Sequence, residues 1–328
     1  MSGNTPESST SDREIVATRV FDAPRELVFD LWTRPEHVAQ WWGPNGFTTT
    51  IQEMDVRPGG VWRLVMRGPD GTEYPNKSVF VEIVRPQRIV FDHDSGPKFR
   101  MTASFDDDGG KTRLTVRMVF ETAALRDKTA KEFGAVEGLH QTLGHLGEQI
   151  ARTPPAERPF IISRTFDVPR EKMFEVWTTR EHLMKWFGPK GFTMPFAKLD
   201  LRPGGVFHYQ LKSPDGNAMW GKFVYKEIQP PERLVSVNSF SDERGGVTRH
   251  PWSDGWPLEL LTEVTFAEFQ PGRTTVTVRW TPINATPAER TAFDTGRGSM
   301  AMGWGGTFEQ LAAYLATDPA TTNSGGRL

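Results

Sequence analysis

The reading of this chain turns on three strings: Arg19-Val-Phe-Asp-Ala-Pro-Arg-Glu26, Trp41-Trp-Gly-Pro-Asn-Gly-Phe47 and Asp55-Val-Arg-Pro-Gly-Gly60. Each recurs 145 positions later, as Arg164-Thr-Phe-Asp-Val-Pro-Arg-Glu171, Trp186-Phe-Gly-Pro-Lys-Gly-Phe192 and Asp200-Leu-Arg-Pro-Gly-Gly205. Residues 19–90 and 164–235 align without a gap, with 33 identities in 72 positions. A period this long exceeds the roughly 20–50 residues of stacking repeats, so each copy is a folding unit in its own right. At 328 residues the length is also that of two domains.

Around these strings the pattern is regular. Glu14–Phe21 carries β-branched residues and reads as a strand. Asp22-Ala-Pro-Arg-Glu26 opens a helix, with Pro in its first turn and Glu at the positive end of the dipole. Leu27, Val28, Leu31 and Trp32 form its apolar stripe. A short helix over Pro35–Trp41 ends at Gly43-Pro44. Then Phe47–Asp55 reads as a strand, Arg57-Pro-Gly-Gly60 as a turn, and Val61–Arg67 alternates Trp62, Leu64, Met66 against Arg63, Arg67. The second copy alternates in step, with Phe207, Tyr209 and Leu211 on the inward face. Strands are expected at about 73–85, 87–93, 98–106 and 111–120, and a long helix over Leu125–Ile150 interrupted by four glycines. Thr153-Pro-Pro-Ala-Glu157 is a stiff linker, and the second copy repeats the order to a final helix at about Pro287–Leu315. Consecutive hairpins imply an antiparallel sheet, whose apolar face the long C-terminal helix is expected to cover. The domain boundaries read 13–152 and 159–317, joined by 153–158, with polar disordered tails at 1–12 and 318–328.

The strings and their order resemble the START-like (SRPBCC, helix-grip) superfamily and, within it, the activator of heat-shock-protein-90 ATPase-like family, in two tandem copies. The resemblance implies an α+β fold: a curved antiparallel sheet gripping a long helix, with an apolar cavity between them. Its functional implication is loose. Relatives stimulate a chaperone's ATPase, act like polyketide cyclases, bind lipids or sequester toxic natural products, and there is no invariant catalytic set to carry over.

Composition narrows the rest. The chain has 11 Trp, 22 Phe and 4 Tyr, which suits ring-rich cores or cavities. Its formal net charge of −2, from 39 basic and 41 acidic residues, argues against a nucleic-acid footprint. With no Cys, disulfides, thiol nucleophiles and Cys-ligated zinc are excluded. No apolar run is long enough for a membrane span, and the N-terminus lacks a signal peptide's apolar stretch, so a cytoplasmic protein is expected.

Candidate functional residues are set against simpler roles. Trp41 and Trp186 are expected to pin a helix end to the sheet; Trp42 and Phe187, one place on, could wall a cavity mouth. Asp55 with Arg57, and Asp200 with Arg202, share a strand face and are expected to pair across the turn. Asp92-His93-Asp94 is the densest titratable cluster of the first copy, a general base or merely a polar strand end. His140 and His145 are poorly spaced for a metal, His37 and His182 are expected to face solvent, and neither metal nor cofactor is expected. The main departure between copies is an insertion over 241–256, containing Arg249-His-Pro-Trp-Ser-Asp-Gly-Trp256. His250 with Asp254 could do acid–base work, and Trp252 and Trp256 could cover a ligand or dock a partner. The candidate ligand-binding set is Trp42, Trp62, Leu64, Met66 and Tyr74 in the first copy, with Phe207, Tyr209, Trp220, Trp252, Trp256, Met300 and Trp304 in the second. The expected function is binding of a small hydrophobic or aromatic molecule, for sequestration or cofactor-free cyclisation. The alternative is a chaperone cofactor acting through its surface. Whether the two domains pack on each other is left open.

Overall fold

The computed structural model describes residues 10–317; the tails expected to be disordered fall largely outside that range. The chain divides into two compact units between Thr153 and Pro154. In the first, β1 (Glu14–Phe21) is followed by helices α1 (Arg25–Thr33) and α2 (Pro35–Trp41). Six strands follow: β2 (Thr48–Met54), β3 (Val61–Arg67), β4 (Glu73–Val84), β5 (Arg88–His93), β6 (Phe99–Asp108) and β7 (Lys111–Phe120). Two helices close it, α3 (Ala123–Glu132) and α4 (Ala135–Arg152). The second unit repeats this with β8 (Phe160–Phe166), α5 (Arg170–Thr178), α6 (Arg180–Trp186), β9 (Thr193–Leu199), β10 (Val206–Lys212) and β11 (Ala218–Gln229). It continues through β12 (Arg233–Ser241), β13 (Glu259–Gln270), β14 (Arg273–Ile283), α7 (Pro287–Thr295) and α8 (Arg297–Thr317). Each unit is one seven-stranded antiparallel sheet, ordered β1-β7-β6-β5-β4-β3-β2 and β8-β14-β13-β12-β11-β10-β9. This is the tandem helix-grip architecture.

The repeated strings build the frame. Arg57-Pro-Gly-Gly60 is a tight turn, because Gly59 takes φ +80° and a Cβ at Gly60 would lie 2.0 Å from the Asp55 carbonyl oxygen. The turn is stapled to β4 by the Gly59 and Phe80 amides, and Asp55 pairs with Arg57 at 2.7 Å, as Asp200 does with Arg202. The indole N–H of Trp41 donates to the Leu31 carbonyl at 3.1 Å, and that of Trp186 to Val176 at 3.2 Å. Each of these Trp side chains therefore ties the second helix of its unit back to the first, where the sequence suggested the sheet. Both are nearly solvent-free.

Two expectations about the closing helices need correction. Leu125–Ile150 is not one helix: Gly134, at φ +58°, separates α3 from α4, and in the second unit the break falls at Gly296 between α7 and α8. Nor does the last helix cover the sheet alone. α1 and α5 pack on the strands at β6–β7 and β13–β14, while α4 and α8 lean on β1 and β8 and on α2 and α6. Gly144 and Gly147 let α4 close on β1, since a Cβ there would meet the Arg19 guanidinium at 3.5 and 3.3 Å.

Candidate functional site

The second unit holds a cavity of about 300 Å³ that opens to solvent. Strand alternation supplies its floor. β10 turns Tyr209 and Leu211 inward, its neighbour β11 adds Met219 and Phe223, and β12 adds Asn238 and Phe240. Leu260 of β13 and Trp280 of β14 extend the floor, and Phe187 closes one side. The roof is α8, through Met300, Gly303, Trp304 and Thr307. The remaining wall is the insertion, which contributes His250 and Trp256. Rings dominate: Phe187 lies 5.3 Å from Tyr209, and Trp304 lies 5.5 Å from Trp280. Two glycines make room. Nothing lies within 4 Å of a Cβ built on Gly303, and Gly221 lets the Tyr209 ring lie across β11, where a Cβ would meet its hydroxyl at 2.6 Å.

The polar groups are few and uncharged. Asn238 accepts from the Thr262 hydroxyl at 2.8 Å through Oδ1, which leaves its NH₂ turned to other partners. His250 Nδ1 accepts the Trp252 backbone N–H at 3.0 Å, so the neutral ring carries its proton on Nε2. Burial holds the His250 pKa below the usual histidine value, so the ring is neutral at pH 7. Burial also pushes the Tyr209 phenol well above the tyrosine range, keeping it protonated. Thr307 spends its hydroxyl on the Gly303 carbonyl at 2.9 Å. The indole N–H groups of Trp280 and Trp304 are buried without a partner among the described residues.

The insertion is held from below. Arg249 pairs with Glu289, which is also the N3 residue of a capping box: Glu289 accepts the Thr286 amide at 2.8 Å, and the Thr286 hydroxyl accepts the Glu289 amide at 3.3 Å. Trp256 lies over Gly296, where a Cβ would come within 2.8 Å of its ring, and packs on Phe293 at 5.6 Å. The break between α7 and α8 is thus the seat of the inserted indole.

The other sequence candidates sit elsewhere. Trp252 is 64% exposed at the tip of the insertion, and Asp254 is exposed and does not line the cavity. Trp220 faces the opposite side of the sheet, opposite Gln210, in a cluster with Phe196 at 5.1 Å and His208 at 5.0 Å. Its strand parity, one off from Phe223, carries that information. Phe207 is buried beside Phe187 and Tyr209. Asn238, Phe240, Met219 and Trp280 were not singled out in the sequence. Asn238 had a signal, since it stands 145 positions after His93.

In the first unit the equivalent positions are in ring-to-ring contact. Trp42 packs 4.8 Å from Trp62 and 5.5 Å from Trp32, and Trp62 lies 5.4 Å from Phe91. Leu64 is buried, Met66 half-buried, and Tyr74 is 43% exposed beside Phe47. His93 stacks on Phe99 at 4.7 Å, with its nitrogens on the Ser95 carbonyl and Asn76 Oδ1, both at 2.9 Å. Burial lowers its pKa, against opposing contacts from the Ser95 and Pro97 backbone and from Asp94. Asp92 is bound to Arg100, and Asp94 to Lys77 and Lys98. That set is a braced strand end. His145 bonds the Gly43 carbonyl and Asn45, the task Gln310 performs on Gly188 and Pro189 in the second unit. His182 bonds the Tyr314 hydroxyl and Glu175 and is shielded by them, where solvent exposure was expected. Among the described residues no three His, Asp or Glu side chains converge as metal ligands, and no helix is long and apolar enough to cross a membrane.

Residues 22–151 and 167–316 each match the family described as Activator of Hsp90 ATPase homolog 1-like protein. The chain belongs to that family. Both of its family domains thus retain the frame, while the cavity described above is in the second. No curated protein matches the chain. Among solved structures, it is similar to a protein from Nitrosomonas europaea at 23% identity, covering 46% of this chain and 100% of the other with TM-score 0.41. A protein from Arthrobacter aurescens is 24% identical over 44% of this chain and 90% of the other, with TM-score 0.42. The di-domain ARO/CYC BexL from the BE-7585A biosynthetic pathway is 14% identical over 94% of this chain and 100% of its own, with TM-score 0.34.

Proposed function

We propose that the second unit binds a small, uncharged, largely apolar molecule between its sheet, α8 and the insertion. The observation behind this reading is the ring-walled cavity of about 300 Å³, the size of a small-molecule site. Binding or sequestration is favoured over catalysis. His250 is the one titratable imidazole on the wall, and Asp254, which would have oriented it, is exposed and does not line the cavity. The test is Trp fluorescence and thermal shift with a panel of aromatic polyketides and neutral lipids, run on the wild type and on Gly303→Leu. Gly303 lines the cavity and a Cβ built there meets nothing within 4 Å, so a leucine side chain has room to enter the cavity. Binding by the wild type and loss in Gly303→Leu supports the reading. If no compound moves either signal in the wild type, or Gly303→Leu binds unchanged, the reading is wrong. A change in Hsp90 ATPase rate that survives Gly303→Leu would favour a surface-acting cofactor instead.

A further inference from the structure

Resting on that reading, we propose that the cavity selects a neutral, flat ligand carrying carbonyl oxygens, an aryl ketone or quinone, and that the insertion supplies part of this selectivity. The bonding groups left open on the wall are mainly donors. Asn238 has given its oxygen to Thr262 and retains its NH₂. His250 has given Nδ1 to the Trp252 amide and retains Nε2–H. The Trp256 indole, also on the wall, has only an N–H to offer, and it has no partner among the described residues. Tyr209 adds a hydroxyl with no partner among the described residues. Against these, three carbonyls near the wall already accept a bond, Gly188 and Pro189 from Gln310 and Gly303 from Thr307, and the other acceptors are the hydroxyl oxygens of Tyr209, Thr307 and Ser299. Ser299 stands exposed at the rim.

No Lys, Arg, Asp or Glu is among the lining residues, so an ionised ligand would leave water with no opposite charge to meet it. A pure hydrocarbon would strip water from several donors and return nothing. A ligand with carbonyl oxygens on an aromatic body answers both conditions. The Trp280 and Trp304 indoles, buried without a partner among the described residues, add two more N–H groups, and two of the six donors, His250 and Trp256, come from the insertion. The first unit has no counterpart of it, and there His93, in place of Asn238, is already bonded to Asn76.

The experiment compares three ligands of one shape by titration calorimetry: 2-acetonaphthone, its hydrocarbon isostere 2-isopropylnaphthalene, and 2-naphthoate. Wild type, Asn238→Leu and His250→Phe are each tested, with their melting temperatures. Each substitution is expected to weaken the ketone about tenfold and to change the hydrocarbon less than about twofold, the scale of one lost hydrogen bond. The naphthoate is expected to bind the wild type at least about tenfold more weakly than the ketone. The carbonyl stretch of the ketone bound to wild type gives an answer that does not depend on variants. It is expected to shift to lower frequency than in hexane. Equal losses for ketone and hydrocarbon, an unshifted carbonyl stretch, or naphthoate binding as tightly as ketone would each overturn the inference while leaving the cavity reading intact. Failure of both neutral ligands to bind the wild type would overturn the cavity reading itself.

Discussion

Glycine and tryptophan do opposite work in this chain, and position decides which. Gly303 and Gly306 are three residues apart on α8. At Gly303 a Cβ meets nothing, whereas at Gly306 it would lie 3.0 Å from the Lys190 backbone nitrogen. Gly303→Ala is therefore expected to stabilise the second unit by about 1 kcal/mol through helix propensity. Gly306→Ala should lose that gain and lower the melting temperature, because the loop after Trp186 must move. Thermal unfolding of the two variants checks the difference in sign. The motif tryptophans follow the same logic. Trp186→Ala removes a buried ring and its bond to Val176, and a loss of about 3–5 kcal/mol is expected by denaturant unfolding. Trp252, 64% exposed, should tolerate Ala with almost no loss. His93 carries a pH signature. Its folded pKa lies below the ordinary 6.5, so between those values the unfolded chain holds more protons. The stability of the first unit should therefore fall as pH drops below about 6.5, and His93→Gln should flatten that slope in unfolding titrations from pH 7 to 5.

Among elements, the insertion leans on α7 as well as on its own strands. Arg249 reaches Glu289, and Glu289 closes the capping box with Thr286. Glu289→Ala removes both supports, and a loss of about 1–2 kcal/mol is expected, because Arg249 is half exposed and its pairing is screened. Ligand affinity should fall with it, since His250 and Trp256 ride on the same loop. The Arg249 hydrogen bond holds the Glu289 carboxyl below the ordinary 4.5, with Thr286 assisting. Its contribution is complete above about pH 4.5 and is lost as pH falls through the folded value; Glu289→Gln should remove that acid limb. The insertion was legible in sequence as the main interruption of the repeat. Its attachment was not, because Arg249 and Glu289 are forty positions apart and nothing local links them.

At the scale of the whole chain, two copies of one frame have different interiors. Each unit has its own sheet and helices, so residues 10–153 and 154–317 produced separately are expected to unfold cooperatively. Only the second fragment should bind the naphthyl ketone; equal binding by the first would show that its rings do not close its interior. Strand positions along the chain, turn positions and the inward faces of β3 and β10 were readable from the sequence, because period-2 alternation and Pro-Gly turns are local and both copies carry them. So was the family. The helix breaks at Gly134 and Gly296 were missed, since a glycine within an apolar stripe looks the same whether it bends, packs or interrupts. The sequence by itself determined that one helix-grip frame occurs twice, anchored by Trp41 and Trp186 and turned at Gly60 and Gly205. Only the tertiary structure decided that Trp42 meets Trp62 in one unit while Phe187, Tyr209, Asn238 and His250 face a space in the other. That difference rests on distances between strands, helix and inserted loop, and residues far apart in the chain acquire such distances only when the sheet closes around them.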